Sequence, residues 1–375
     1  NTFNMGVFML KLVILIIYFA VLIGIGLYCR KHATDVNGFV LGGRSVGPWL
    51  TAFAYGTSYF SAVVFVGYAG QFGWKYGIAA TWAGIGNAII GSLLAWVVLG
   101  RRTRIMSQHL DSATMPQYFG KRFGSNPLKI GASVIIFIFL IPYTASLYNG
   151  LSRLFGMAFN IDYSVCIIIM ATLTAIYVIA GGYMATAIND FIQGIIMLFG
   201  IIAVIAAVIH SKGGFMSALQ GLANVSDPAV SNTPGIFASF FGPDPFNLLC
   251  VVILTSLGTW GLPQMVQKFY AIDNEASIQK GTVISTIFAL IVSGGCYFLG
   301  GFGRLFSDQI DVKANGFDSI IPTMLSNLSP ALIALVVILV LSASMSTLSS
   351  LVIASSSTLT IDFLKDNFIK NMSEK

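Results

Sequence analysis

The sequence predicts an all-α integral membrane protein, and three observations carry that prediction. Of its 375 residues, 56% are hydrophobic and only 9% charged, with a mean hydropathy of +0.84; a soluble domain carries about 25% charged residues. Apolar runs recur that suit helical crossings of about 20 residues, not barrel strands of about 10 alternating ones. Two of the runs are interrupted at mid-depth by glycine, hydroxyl residues or proline.

The first run, 7–29, is longer than a signal-peptide apolar region of about 7 to 15 residues and has no Ala-x-Ala site before Arg30 and Lys31, so it reads as a retained helix. Division at Gly, Pro and charge clusters predicts further spans at 47–72, 77–100, 130–156, 162–180, 183–211, 246–270, 280–303 and 329–364, nine in all. The last is too long for one crossing and is expected to project into water. Loops 30–46, 101–129 and 268–280, with the tail after Leu364, hold 14 of the 20 Lys and Arg residues, among them Arg101, Arg102, Arg104, Lys121 and Arg122. That side is therefore expected to be cytoplasmic, with the N-terminus outside a plasma (inner) membrane. Loops 212–245 and 304–328, rich in Gly, Pro, Asn, Ser and Asp, read as surface loops with short helical pieces.

Other function classes find little support. The net charge of +6 sits mostly in loops between spans, where topology accounts for it, and no nucleic-acid motif is visible. Cys29, Cys166, Cys250 and Cys296 lie far apart, without zinc-site or disulfide-framework spacing, and read as packing residues. His32, His109 and His210 sit near membrane edges rather than clustered with carboxylates, so no enzyme chemistry is indicated.

In the second span, "FAYGTSYFSAVVFVGYAG" places Gly56, Thr57, Ser58 and Ser61 at its middle; in the seventh, "LTSLGTWGLPQMVQKF" places Gly258, Gly261 and Pro263 there. Small residues let membrane helices approach closely, but Pro263 also removes a helical hydrogen bond and forces a kink. The interrupted spans stand five apart. Paired breaks of this kind point to an inverted-repeat transporter with irregular backbone lining its site. Freed carbonyls there suit a hard cation.

The last span holds "LSASMSTLSSLVIASSS", in which Ala343, Ser346, Thr347 and Ser350 share one helical face with Ser349 beside them. Such a stripe serves either close packing, by back-bonding to carbonyls one turn earlier, or an alkali-cation site together with carbonyls freed at Thr57 and Phe60. Asp190, in "TAINDFIQGIIML", is costly inside a span and therefore has a partner or a role. It reads as an interfacial carboxylate at a helix start, or as part of a second cation site with Ser346, Ser349 and Ser350.

Four stretches, "LGGRSVGPWLTAFAYGTSYFSAV", "GGYMATAINDFIQGIIML", "GTWGLPQMVQKF" and "SASMSTLSSLVIASSSTLTIDF", occur in one order through essentially the whole chain and together resemble the sodium:solute symporter family. The resemblance implies a leucine-transporter-like fold: an extra N-terminal helix followed by two inverted repeats of five helices. On this chain that is one transmembrane domain over 1–375, with 47–211 the first repeat and 246–364 an incomplete second one. Eleven spans are needed and nine are found; with Asn1 in place of Met at the start, the chain reads as part of a longer carrier.

By the same resemblance, a main sodium site falls on the carbonyls of Thr57, Phe60 and Ala343 and the hydroxyls of Ser346 and Thr347. A second sodium site, found in some members, falls on Asp190, Ser346, Ser349 and Ser350. The solute pocket falls on Tyr59, Ser61, Val63, Val64, Tyr143, Thr255, Thr259 and Trp260, although Tyr59 and Tyr143 would serve equally as core aromatics. Val63 and Val64 replace the Glu and Gln of sugar carriers; Tyr59, Thr255 and Thr259 replace residues typical of proline carriers. The implied function is sodium-coupled import of a small carboxylate, amino acid or vitamin-like solute by alternating access. A proton-coupled carrier and a transporter-fold membrane sensor are the alternatives. The partners are Na+, the solute and the bilayer.

Overall fold

The computed structural model describes residues 2–159, 162–365 and 367–369, and among them the regular secondary structure is helical apart from two isolated β-bridges, Val46 with Ile272 and Asp227 with Ser231. In chain order the helices are α1 (Thr2–Cys29), α2 (Val36–Leu41), α3 (Pro48–Tyr59), α4 (Ala69–Tyr76), α5 (Thr81–Gly86), α6 (Arg101–His109), α7 (Met115–Phe123) and α8 (Asn126–Phe159). They continue with α9 (Tyr163–Ser211), α10 (Phe215–Ala223), α11 (Pro245–Leu257), α12 (Pro263–Ala271), α13 (Glu275–Gly300), α14 (Val312–Asn315), α15 (Ile320–Leu325) and α16 (Pro330–Ser357). Wider π-helical turns fill Val63–Tyr68, Asn87–Leu94, Trp96–Gly100 and Thr358–Lys365.

Local chemistry sets many of the starts. Thr114, Asp244, Asn274 and Ser329 accept from the amides of Gln117, Asn247, Ser277 and Leu332, capping α7, α11, α13 and α16. Proline follows the cap of α11 and of α16 at the first helical position, where its missing N–H costs nothing.

Among the described residues, six helices are long and apolar enough to cross a membrane, or seven if the bent pair Pro245–Gly261 and Pro263–Ala271, which meet at 54°, is one span. Two of the six, Val63–His109 and Ser164–Ser211, run for 47 and 48 residues. At 1.5 Å per residue each would reach about 70 Å, twice the hydrocarbon thickness. Each is broken by a glycine in nearly the same backbone state: Gly77 at φ 64°, ψ −143° and Gly182 at φ 56°, ψ −146°. Side chains are excluded from that region, so the chain turns back there. The Gly182 break falls between the expected 162–180 and 183–211 segments.

Centrally, α16 is buried along most of its length, from Ala334 to Ser357, packed by α9, α8 and α3, while α13 lies against α3, α4 and α5. On α4, a side chain at Gly73 would collide with the carbonyl of Gly300, so the α4–α13 crossing brings backbone against backbone. α1 lies outside, against α9.

Two expectations are corrected. The end of the last helix does not project into water: Thr358–Lys365 packs beside α7 and α8, and the fully buried Asp362 accepts a 2.9 Å hydrogen bond from Thr114 Oγ1. That bond gives one oxygen of the buried carboxylate a partner within the protein, where a turn projecting into water would leave it to solvent. And whereas Cys29, Cys166 and Cys296 are buried, Cys250 is exposed on α11 and packs no core. The loops 212–245 and 304–328 do contain short helices: α10 and Ile236–Ala238 in the first, and α14, Phe317–Ser319 and α15 in the second.

Candidate functional site

α3 stops at Tyr59. Phe60 is extended, at φ −106° and ψ 119°, although its amide still reaches Gly56 O at 3.3 Å. Where the helical ladder ends, the Thr57 carbonyl meets α16: Ser346 Oγ lies 3.1 Å and Thr347 Oγ1 3.4 Å from it. The same hydroxyls stand 3.1 and 3.0 Å from Ala343 O. Thr57, Ser346 and Thr347 are fully buried, and Phe60 and Ala343 nearly so. Two carbonyl and two hydroxyl oxygens from α3 and α16 thus converge in a dry place. That neutral oxygen set suits a small hard cation that must also leave. Phe60 stands at the break itself, three residues beyond Thr57.

One turn along α16, Ser349 Oγ donates to Ser346 O at 2.9 Å, and Ser350 Oγ is 2.9 Å from Ser58 Oγ on α3. Asp190 is wholly buried on α9, two turns beyond the Gly182 break, and neither carboxylate oxygen has a hydrogen-bond partner. Protein, not solvent, therefore surrounds this carboxylate. Reading the sequence placed Lys268 in the basic loop 268–280; the structure corrects this, since α12 runs on to Ala271 and buries Lys268 completely. Its ammonium donates to Ser350 Oγ at 2.9 Å and lies 5.1 Å from the Tyr183 ring centre.

A cavity of about 470 Å³ adjoins the break of α3, walled by α8 and α11. Tyr59, Ser61, Val63, Val64, Tyr143, Thr255 and Thr259 line it, with Tyr68, Phe72, Val251 and Leu254, and no Asp, Glu, Lys or Arg is among its walls. Trp260 is not a wall. Its indole N–H donates to Ile90 O at 2.9 Å and ties the bend after α11 to the Asn87–Leu94 turn.

Asn87 was not singled out from sequence and proves central to this wall. Its Oδ1 is 3.1 Å from each of Tyr59 OH, Thr255 Oγ1 and Ser256 Oγ, and its Nδ2 donates to Ser293 Oγ at 3.0 Å. A lone amide within "GIGNAIIGSLL" was the available signal, because a buried amide in a membrane helix requires partners.

On the 101–129 side the elements are tied together. Tyr55, Trp96 and Phe269 interlock with ring centres 5.2 to 5.6 Å apart. Beyond them, Arg44 donates to Tyr270 O at 3.2 Å, to Ser112 O at 2.7 Å and to Ser107. Arg104 donates to Ile272 O at 3.0 Å and to Asp273 O. Val46 adds backbone bonds to Ala271 and Asp273. Both arginines hold carbonyls at the C-terminal end of α12, where cations are favoured. Burial pulls the Arg44 guanidinium below its ordinary pKa, with Asp111 opposing.

Comparison with known proteins agrees with this fold. A family model described as "Sodium:solute symporter family" matches residues 39–375. The chain is 30% identical over 364 residues to sodium/proline symporters of Staphylococcus aureus strains JH9 and COL, an alignment covering 94% of this chain and 68% of each relative. Its backbone is similar to that of a solved Na+-coupled sialic acid symporter in a substrate-bound outward-open state, with a TM-score of 0.80 and 16% identity, over 97% of this chain and 75% of that one.

Proposed function

Because the chain belongs to the sodium:solute symporter family, we propose that it couples inward movement of sodium to uptake of a small organic solute. The observation that carries this reading is the meeting of Ser346 and Thr347 with the freed carbonyl of Thr57. Sodium would be held by the carbonyls of Thr57, Phe60 and Ala343 and by those two hydroxyls. The solute would lie in the cavity against Tyr59, Ser61, Val63, Val64, Tyr143, Thr255 and Thr259.

The coupling follows from adjacency along one strand of backbone. Thr57 and Phe60 belong to the ion group, and Tyr59 and Ser61 to the cavity wall, within five consecutive residues. An ion that draws α3 and α16 together fixes the break, and with it the position of the Tyr59 hydroxyl and of Ser61. By linkage, a solute that prefers the fixed break strengthens sodium binding by the same factor. Alternating access would follow as the aromatic seal and the arginine clamp open after both have bound. One sodium moving inward gains about 2.3 kcal/mol per 100 mV.

The walls carry hydroxyls, one amide and apolar side chains, but no fixed charge. They suit a small solute with an apolar body and few polar atoms, such as an amino acid or short carboxylate, whose negative end sodium would help to neutralise. Proline, for which the aligned relatives are named, is therefore the first solute to test, ahead of short carboxylates, vitamins and sugars.

Thermal unfolding of the purified protein in sodium and in potassium tests the reading. Sodium alone should raise the midpoint. Thr347→Ala, which removes one oxygen of the set, should weaken that response at least about tenfold in sodium concentration, equivalent to about 1.4 kcal/mol. Identical midpoints in the two ions would sink the proposal.

A further inference from the structure

We propose that the Lys268 ammonium is a built-in cation of the second oxygen cluster, standing in for a second sodium, so that the chain binds one sodium ion instead of two. This rests on the reading of Ser346 and Thr347 as the sodium site.

The cluster has the parts of a cation site. Asp190 is fully buried with both carboxylate oxygens free of hydrogen bonds, and Ser349 and Ser350 lie on the facing helix α16. In so dry a place a carboxylate either pairs with a nearby positive charge or takes up a proton. Lys268 is a fully buried cation that lies against the same helix, its ammonium facing the ring of Tyr183, two turns before Asp190 on α9. Among the described residues it forms no direct ion pair; it donates to Ser350 Oγ at 2.9 Å and faces the Tyr183 ring at 5.1 Å, inside cation–π range. Ser350 in turn meets Ser58 at 2.9 Å, so the ammonium links α12, α16 and α3.

A sodium ion sharing Ser350 and the field of Asp190 would stand within a few ångströms of this ammonium. Repulsion at about 4 Å in a medium of effective dielectric constant near 20 lowers affinity by roughly a thousandfold. Lys268 therefore supplies a positive charge for Asp190 and keeps a second ion out. Because it is anchored to α12, which follows the 54° bend, this charge moves with the protein and is not carried across.

Equilibrium binding of radioactive 22Na+ alone to the purified protein tests the proposal without knowledge of the solute. The wild type should bind one ion per chain, Lys268→Gln two, Lys268→Arg one, and Lys268→Gln with Asp190→Asn one again. Two ions on the wild type, or one ion on a Lys268→Gln protein that elutes as a folded monodisperse species, would overturn it. Two ions on the wild type overturn the proposal whether or not Lys268→Gln folds. No bound sodium in either protein is a different failure, overturning the sodium reading itself together with this one.

Discussion

At the scale of single residues, Asn87 organises the cavity wall. Its amide oxygen faces three hydroxyls, yet two of these have a second acceptor: Tyr59 OH lies 2.7 Å from Thr255 O, and Thr255 Oγ1 lies 2.9 Å from Val251 O. Removing the amide therefore leaves few orphaned donors. Asn87→Ala should lower stability by about 1–2 kcal/mol, the worth of one or two buried hydrogen bonds. It should abolish solute-dependent stabilisation while sparing the shift produced by sodium, because the wall loses its polar anchor and the Thr57 group does not. Loss of both responses together in a thermal-shift assay would mean that Asn87 supports the whole core. The hydroxyls of Ser346 and Thr347 were legible in the sequence because nine Ser and Thr in seventeen otherwise apolar residues is a local signal. Asn87 and Lys268 were not, because three of the four partners of Asn87 lie 168 or more residues away and the partner of Lys268 on α16 lies 82 away. A lysine two residues from a predicted helix end reads as a loop cation until the facing helices are known.

At the scale of elements, the breaks do the positioning. The proline and glycines at 258–263 announced the bend after α11, since Pro263 cannot continue a helix, and the structure bends there by 54°. The break at Phe60 was less legible: nothing in "TSYFSA" forbids a helix, and the interruption is held by α16 hydroxyls that take the Thr57 carbonyl. Gly182 and Gly77 were signposted only as segment boundaries, although both adopt a backbone state closed to other residues. An added side chain at Gly182 would also press on the Phe39 backbone, and one at Gly77 on Phe237 O. Gly182→Ala is expected to cost about 1–3 kcal/mol or more and to lower the midpoint of thermal unfolding. Gly24→Ala, in the open middle of α1 with nothing within 4 Å, should instead raise stability by about 0.5–1 kcal/mol. Equal effects of the two substitutions would show that the Gly182 turn is not a fixed feature of the fold.

At the scale of the whole molecule, the elements on the 101–129 side are locked together, and the lock is concentrated. Arg44 alone joins the 42–46 turn to Ser107 on α6, to the carbonyl of Ser112 and to that of Tyr270 on α12. Arg104 and the Val46 backbone secure the next carbonyls of the same end. A charged hydrogen-bond donor contributes about 1.5–3 kcal/mol, so replacing Arg44 by Gln should shift the balance towards a form open on the 101–129 side by at least about tenfold. Accessibility reports this directly. Cys29, Cys166 and Cys296 are buried, so a single cysteine at Thr259, on the cavity wall, can be read once Cys250 is changed to Ser. With otherwise native sequence, a membrane-impermeant thiol reagent should reach Thr259→Cys from the 212–245 side and hardly at all from the other. Adding Arg44→Gln should raise the rate from the 101–129 side several-fold and lower it from the first, because one population is exchanged for the other. An equal rise from both sides would indicate general loosening; no change would assign the lock to the Tyr55, Trp96 and Phe269 seal, whose buried rings require no charge to hold them.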